Sequence, residues 1–315
     1  MVDDTVTVSV VICAYTTARW ERLCHAVESV LTGSRRPVEV IVVIDHCDDL
    51  LAVAQRRFGS DRGVRVIPNA ETRGLSGARN TGVRAAHAEV VAFLDDDAVA
   101  APGWADALGE HYRDQTVAGV GGYASPVWPD VRPNWMPAEF DWVVGCSYIG
   151  QPEQIAPVRN PIGCNMSLRR SVLDEVGGFR SEVGRVGATP VGCEETELFI
   201  RVAAAEAANQ VLFDPGIRVD HHVSDDRTTL RYFVRRCYHE GLSKAVVTDM
   251  AGAAAALSSE RSYVRRVLPM AVVRELRTMT TAGLARASAI CLGLAATTAG
   301  FARAKVSRSL SRSAR

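Results

Sequence analysis

The stretch Val90-Val91-Ala92-Phe93-Leu94-Asp95-Asp96-Asp97 decides how this chain folds. An unbroken apolar run suits a strand buried on both faces, as in a parallel sheet covered by helices. Three acids then arrive at its carboxyl end. Side chains alternate in extended backbone, so Asp95 and Asp97 point one way and Asp96 the other. Two carboxylates this close repel unless a cation sits between them. A hard divalent ion, Mg²⁺ or Mn²⁺, would neutralise both and bridge to phosphate oxygens. Taken alone the triplet also reads as a solvated turn, and its surroundings separate the two readings.

Towards the N-terminus, residues 6–13, 38–44 and 64–67 are further strand-like runs rich in β-branched residues. Trp20, Leu23, Val27 and Val30 recur at helical spacing after the first of them, and helices are predicted over 50–58 and 77–86. Strands alternating with helices predict an α/β fold with a Rossmann-like, doubly wound, mainly parallel sheet. Ligands bind beyond the carboxyl ends of strands in such sheets. Here those ends carry Ala14, Tyr15, Asp45, Asn69 and the acid triplet. The loop Arg73-Gly74-Leu75-Ser76-Gly77-Ala78-Arg79-Asn80-Thr81-Gly82 leads into the helix before the acidic strand. Gly74 and Gly77 let backbone approach a ligand closely, and Arg73 or Arg79 can offer a fork to phosphate or carboxylate. The alternative is a glycine-rich turn whose Arg79 pairs only with a strand-end aspartate.

Towards the C-terminus the reading becomes irregular over 121–161, where prolines and tryptophans gather, the makeup of a binding loop. A strand is predicted over 164–168, helices over 169–176 and 195–208, and a strand over 216–223. Glu194, Glu195 and Glu197 open the second helix, where carboxylates serve either as dipole partners or as a general base. After Lys244 the composition turns to alanine, arginine and helix formers. Residues 287–302 carry no charge and are flanked by Arg286, Arg303 and Lys305, with Arg308, Arg312 and Arg315 beyond. That run is shorter than the ~20 residues of a membrane-spanning helix. It reads as a helix lying on an anionic membrane surface or as one packed on the rest of the chain.

At 315 residues and 47% hydrophobic content the chain can bury a substantial core, which excludes disorder. Its 36 basic and 36 acidic residues cancel, so no whole-chain argument for nucleic acid exists. Eight cysteines without a Cys-x-x-Cys pair, and an acidic opening unlike an export signal, read as a reduced cytoplasmic protein. Ala14-Tyr15-Thr16-Thr17-Ala18-Arg19 is neither the Gly-x-Gly-x-x-Gly of a dehydrogenase nor the glycine-rich arginine loop of a sugar-nucleotide pyrophosphorylase.

The segments Val8-Ser9-Val10-Val11-Ile12-Cys13-Ala14-Tyr15, Gly77-Ala78-Arg79-Asn80-Thr81-Gly82 and Phe93-Leu94-Asp95-Asp96-Asp97 resemble, in order and spacing, the family 2 glycosyltransferases with the GT-A fold. The similarity continues through Gly163-Cys164-Asn165-Met166-Ser167-Leu168-Arg169-Arg170, Val176-Gly177-Gly178-Phe179 and Cys193-Glu194-Glu195-Thr196-Glu197-Leu198, covering residues 6–245. It implies a metal-dependent, inverting transfer of a sugar from a nucleotide-sugar donor, UDP-linked, to an acceptor hydroxyl. Ala14, Tyr15 and Asp45 would line the nucleoside pocket, Gly74 and Arg79 would meet the donor, and Asp95 with Asp97 would hold ribose and metal, Asp96 beside them. Glu195, with Glu194 next to it, would be the catalytic base, at a position where the family carries aspartate. Thr72 stands where the family commonly has asparagine.

In family members acting on lipid-linked substrates a Val-x-His-x-Val is common. Here Val219-Asp220-His221-His222-Val223 is similar to it, and since the histidine of those relatives completes the metal shell or contacts the diphosphate, the similarity would make His221 a metal ligand. Trp135 and Trp142, in a loop with Trp128, Phe140 and Tyr148, would face the acceptor. That loop, with Tyr232-Phe233 and Glu240-Gly241-Leu242-Ser243-Lys244-Ala245, looks like the branch that includes glucosyl-dolichyl-phosphate glucuronosyltransferases. The implied acceptor is a polyprenyl-linked saccharide. A soluble small molecule or polysaccharide acceptor, or a non-catalytic sugar-nucleotide-binding protein, is the alternative. The expected organisation is a nucleotide-sugar half over 1–100, an acceptor half over 101–245 and a helical extension over 246–315, in a cytoplasmic protein peripheral to the inner face of the plasma membrane.

Overall fold

The computed structural model describes residues 6–32, 37–181, 192–206, 209–252 and 258–313. The acidic opening at residues 1–4, positions 207–208 at the end of the helix predicted over 195–208, and Arg315 lie outside them, as do the side chains of Arg308 and Arg312. The strands are β1 (Val8–Ala14), β2 (Glu39–Ile44), β3 (Val64–Pro68), β4 (Val90–Asp95), β5 (Ala98–Ala100), β6 (Val117–Val127), β7 (Ala156–Pro157), β8 (Asn165–Arg169) and β9 (Gln210–His222). The helices before the C-terminal region are α1 (Trp20–Leu31), α2 (Asp48–Phe58), α3 (Leu75–Ala85), α4 (Trp104–His111), α5 (Arg170–Val176) and α6 (Glu194–Ala205).

One sheet runs β3-β2-β1-β4-β8-β6-β9-β5. Its first four strands are parallel, and β8 adds antiparallel to β4. Helices α1 and α2 bury Leu23, Val27, Leu50 and Phe58 against one face of the parallel half. On the other face α3 supplies Ala78 and Val83, and α5 and α6 supply Leu173, Leu198 and Phe199. This two-sided cover is why β1, β2 and β4 read as continuous apolar runs. The register then sets the site. Cys13 of β1 pairs with Asp95 of β4, the chain turns through Asp96 and Asp97 into β5, and Ala98 pairs with His221 of β9. The His222 N–H donates to the Asp97 carbonyl at 2.8 Å, which pins the two strand ends together.

Two expectations are corrected here. The stretch 121–161 is not irregular throughout, since β6 continues to Val127 and a 3₁₀ helix spans Ala138–Val144. Likewise β9 starts at Gln210, six residues before the strand predicted over 216–223. Gly119, Gly121 and Gly122 are demanded by crowding in the sheet. A Cβ on Gly122 would stand 1.9 Å from the Ile217 carbonyl oxygen.

The chain continues through α7 (Leu230–Ala251), which crosses position 245, to a penultimate helix (Leu268–Arg277) and a C-terminal helix (Thr281–Ser313). The helical segment exceeds the short uncharged run read from sequence. Within it Thr281–Ser307, 27 residues containing an 18-residue window of mean hydropathy 1.4, is long and apolar enough to cross a membrane by length and composition. Yet it packs against α7. A Cβ on Gly300 would stand 2.0 Å from the Tyr238 carbonyl oxygen, and one on Gly241 2.0 Å from that of Thr297. Gly293 admits Phe140 and Phe233 in the same way, joining this helix to a cluster that holds Met136, Val144, Leu268 and Ile290. In an open helix Gly→Ala gains about 1 kcal/mol. At Gly300 the clash is with backbone, so Gly300→Ala is expected to cost about 1–3 kcal/mol instead, measured by urea unfolding.

Candidate active site

Asp95, Asp97 and His221 each offer a ligand atom, and those atoms all lie within 4.8 Å of one another. Asp97 and His221 are buried, Asp95 is partly open, and all three line a cavity of about 580 Å³. Two hard carboxylate donors and an imidazole converging on an open cavity fit a divalent cation. His221 Nε2 lies 3.3 Å from Asp97 Oδ1, and its Nδ1 faces Cys146 Sγ at 3.6 Å. Burial opposes the imidazolium, but Asp97 outweighs it and pushes His221 up to about 10. Burial likewise opposes charge on Asp97, and His221 with Arg19 holds its carboxyl well below the usual range. Gly145, at φ 87°, passes close over the imidazole, where a Cβ would stand 3.1 Å from Cε1.

Asp96 lies in the turn after β4, and it meets Asp97 at one Arg19 nitrogen rather than pointing the other way. It is buried, receives Arg19 Nη1 at 2.9 Å, and leaves Oδ2 without a hydrogen-bond partner. Burial, then the charge of Asp97, raises its pKa. Asp96 is not part of the cavity wall, whereas Arg19, which also reaches Asp97 Oδ2 at 3.0 Å, is. Sequence reading passed over Arg19. The available signal was a basic residue just past the end of β1, beside the strand that delivers the acids.

Glu194 and Glu195 start α6, after Cys193 in a left-handed conformation at φ 80°. Arg79 ties this helix to the acidic corner. Its guanidinium, only 2% exposed, lies 3.3 Å from Glu194 Oε1 and 3.3 Å from Asp95 Oδ1 and donates to the Gly163 carbonyl at 3.0 Å. Its guanidinium carbon lies over the rings of Phe93 and Phe179, 5.8 and 5.4 Å from their centroids. Those bonds are to the protein itself, which is the pairing alternative read from sequence. Glu195 is half-buried on the cavity, and burial, reinforced by the charge of Glu194, pushes its carboxyl up to about 7.

Ala14 is buried and Tyr15 exposed at the end of β1. Beside them Asp45 organises the glycine-rich loop: Oδ1 accepts from Asn69 at 2.7 Å, lies 2.8 Å from His46 Nδ1, and Oδ2 accepts the Gly74 N–H at 2.9 Å. Gly74, at φ 130°, begins α3 in a conformation that requires glycine. Of the two tryptophans chosen from sequence, Trp142 lines the cavity. Trp135 does not. It packs edge-on against Phe233, ring centroids 5.5 Å apart, in the aromatic cluster beneath. The far wall of the cavity was not legible as a site. It is made by Arg159, by Arg236, Glu240 and Lys244 of α7, and by residues of the C-terminal helices.

A family model described as glycosyl transferase family 2 matches residues 9–177. A glucosyl-dolichyl phosphate glucuronosyltransferase of Haloferax volcanii is 34% identical over 273 residues, 86% of each chain. Among solved structures, a mannosyltransferase from Pyrobaculum calidifontis in complex with GDP-Man and Mn²⁺ superposes at TM-score 0.60 and 16% identity, over 94% of this chain and 87% of that one. GalNAc-T7 with UDP, GalNAc and Mn²⁺ superposes at TM-score 0.56 and 18% identity over 77% of this chain, which spans about half of that one, 51%.

Losing an outer-shell partner typically weakens a metal site about 10–100-fold, and losing a ligand should exceed that. Asp97→Asn is therefore expected to reduce Mn²⁺ affinity by more than about 100-fold with the circular dichroism spectrum unchanged. Calorimetric titration with Mn²⁺ and UDP checks it, and undiminished affinity would remove Asp97 from the site.

Proposed function

The chain belongs to glycosyl transferase family 2, and within that family we propose that it is an inverting, metal-dependent enzyme moving a sugar from a UDP-sugar to a hydroxyl of a polyprenyl-linked saccharide. It is a glycosyltransferase of the GT-A fold. The observation that carries the proposal is that the acid–histidine corner and Glu195 face one cavity, joined by the Arg79 bridge.

In this reading the acceptor oxygen attacks the anomeric carbon from the face opposite the diphosphate. The new carbon–oxygen bond forms as the bond to diphosphate breaks, and Glu195 takes the hydroxyl proton. A Mg²⁺ or Mn²⁺ ion held by Asp95, Asp97 and His221 would supply positive charge for the departing diphosphate. Arg79 fixes Glu194 and thereby the first turn of α6, which sets where Glu195 points. Ala14, Tyr15, Asp45 and the Gly74 loop form the nucleoside edge, and Asp96, through Arg19, steadies Asp97 from behind. The two solved neighbours carry different nucleotides, UDP and GDP-Man, so the choice of uridine rests on the resemblance in this edge. Trp142 is the aromatic residue offered to the acceptor sugar.

The lipid-linked acceptor is supported by the Haloferax relative and by the surface beside the cavity. Met270, Val273 and Leu276 of the penultimate helix, Met279 just after it, and Leu284 and Leu292 of the last helix are exposed. Arg265, Arg266 and Arg277 are exposed in the same stretch of chain. Exposed apolar side chains together with cations suit an anionic membrane surface, each basic residue adding on the order of 1 kcal/mol. The protein then lies against the cytoplasmic face of the membrane.

Glu195→Gln is expected to retain UDP and Mn²⁺ binding and to lose transfer by roughly 10²–10⁴-fold, with Glu194→Gln milder. A base works only when ionised. Wild-type kcat/KM should accordingly rise as pH increases through about 7, the value to which Glu195 is pushed, and level off above it. A flat profile, or near-normal transfer by Glu195→Gln, would place the base elsewhere. Co-sedimentation with anionic liposomes should be strong at low salt and largely lost at high salt. Failure to sediment at low salt, together with preference for a soluble acceptor, would replace the lipid-linked reading.

A further inference from the structure

We propose that the cavity contains, beyond the reacting centre, a subsite for the phosphate that joins the acceptor's sugar to its aliphatic chain, formed by Arg236 and Lys244 of α7 together with Arg159. The inference deepens the lipid-linked reading above and rests on it.

Arg236, Glu240 and Lys244 follow one another at four-residue spacing, so they form a single stripe of α7, and all three line the cavity. Arg236 donates to Glu240 at 2.7 Å, and Lys244 Nζ lies 3.4 Å from Glu240 and 2.5 Å from Glu260. Arg159 grips Glu260 with two bonds of 2.7 and 3.0 Å. The stripe starts at the reacting centre, because Cys193, which precedes Glu194, donates its thiol to Glu240 at 3.4 Å. Burial opposes ionisation of Glu240, but Arg236 and Lys244 prevail and hold it down to about 2, so the network stays charged at neutral pH.

Three cations thus face two carboxylates in a place where charge is expensive. A buried ionic network contributes little to stability compared with apolar side chains of similar volume. Its place on a cavity wall that Arg261 and Arg265 also line fits a ligand that brings negative charge. Phosphate matches that need, since its oxygens accept charge-assisted bonds from both ammonium and guanidinium groups. The same cavity also has an apolar lining, Val264, Leu268, Leu294 and Phe301 from the C-terminal helices, and the last helix packs on Gly241 within the stripe itself. One cavity thus holds a base, cations and hydrocarbon. Those match the sugar hydroxyl, the phosphate and the alkyl chain of one molecule. A neutral glycolipid would leave the cations unused, and a soluble sugar phosphate would leave the apolar wall unused.

Calorimetric titration of the full-length protein, in EDTA and without donor, with farnesyl phosphate, farnesol and inorganic phosphate tests this subsite apart from catalysis. Farnesyl phosphate should bind at least about tenfold more tightly than either other probe, the scale of one charge-assisted contact. High salt should weaken farnesyl phosphate and leave farnesol unchanged. In Lys244→Gln and Arg236→Gln the preference over farnesol should vanish, while Mn²⁺-dependent UDP affinity, which reports an intact fold, stays at the wild-type value. Equal binding of farnesol and farnesyl phosphate, salt-independent binding of farnesyl phosphate, or a preference that survives in both variants overturns the proposal. Wild-type protein that shows the preference yet transfers nothing to a farnesyl-phosphate-linked sugar would keep the subsite and remove the proposed acceptor.

Discussion

Four carboxylates, those of Asp95, Asp97, Glu194 and Glu195, face one cavity, and their mutual repulsion is the constraint around which the rest of the structure is arranged. Arg79 answers it from inside the protein by standing between Asp95 and Glu194. Arg19 answers it for Asp97, and so does His221 while its imidazole is protonated, a proton that a bound metal ion would displace. Each of these cations comes from a different part of the chain: the start of α1's approach, the body of α3 and the end of β9. The sheet order, with β4 at its middle and β5 returning beside β9, is what lets them converge. The residual negative charge at the open side of Asp95 and Asp97 is then available to a divalent ion. The carboxyl of Glu195 is raised, because burial and Glu194 act on it while Arg79 spends its bonds on the neighbour.

How much of this could be read from the chain depends on whether the signal is local. β4 and its acids were legible because a strand buried on both faces is a continuous apolar run, and an abrupt switch to acid marks its carboxyl end. The same logic located β1 and β2 with their terminal residues Ala14 and Asp45. The prolines and tryptophans over 121–161 hid the end of β6, whose Gly122 is there for the close approach of the Ile217 backbone, nearly a hundred residues away. Arg19 with Asp96 spans 77 positions, and Arg159 with Glu260 spans 101. Neither pairing leaves any local pattern. Trp135 and Trp142 look alike in sequence, and only the packing against Phe233 separates the core residue from the cavity residue.

The C-terminal helices illustrate how one composition supports two demands. Gly293 and Gly300 press the last helix onto α7 and the 3₁₀ segment, and Leu268, Leu294 and Phe301 complete the cavity wall. The outward side of the same region leaves Met270, Met279 and Leu284 uncovered. An alanine- and glycine-rich helix is thin enough to do the first, and its scattered large apolar residues do the second. Asp95 and Asp97 at the end of β4 and this helical wall thus line one cavity, so under the proposed function metal and acceptor would be held by segments far apart in the chain.

The account stands most directly on the claim that the Asp95, Asp97 and His221 corner is where the cation and the donor's diphosphate meet. Crystals grown with UDP and Mn²⁺ and measured at the manganese absorption edge test it. An anomalous peak within coordination distance of those three side chains, bridging to the diphosphate in the cavity that Glu195 faces, is the predicted result. A peak held by other residues, or UDP bound in the cavity with no manganese at this corner, would contradict it.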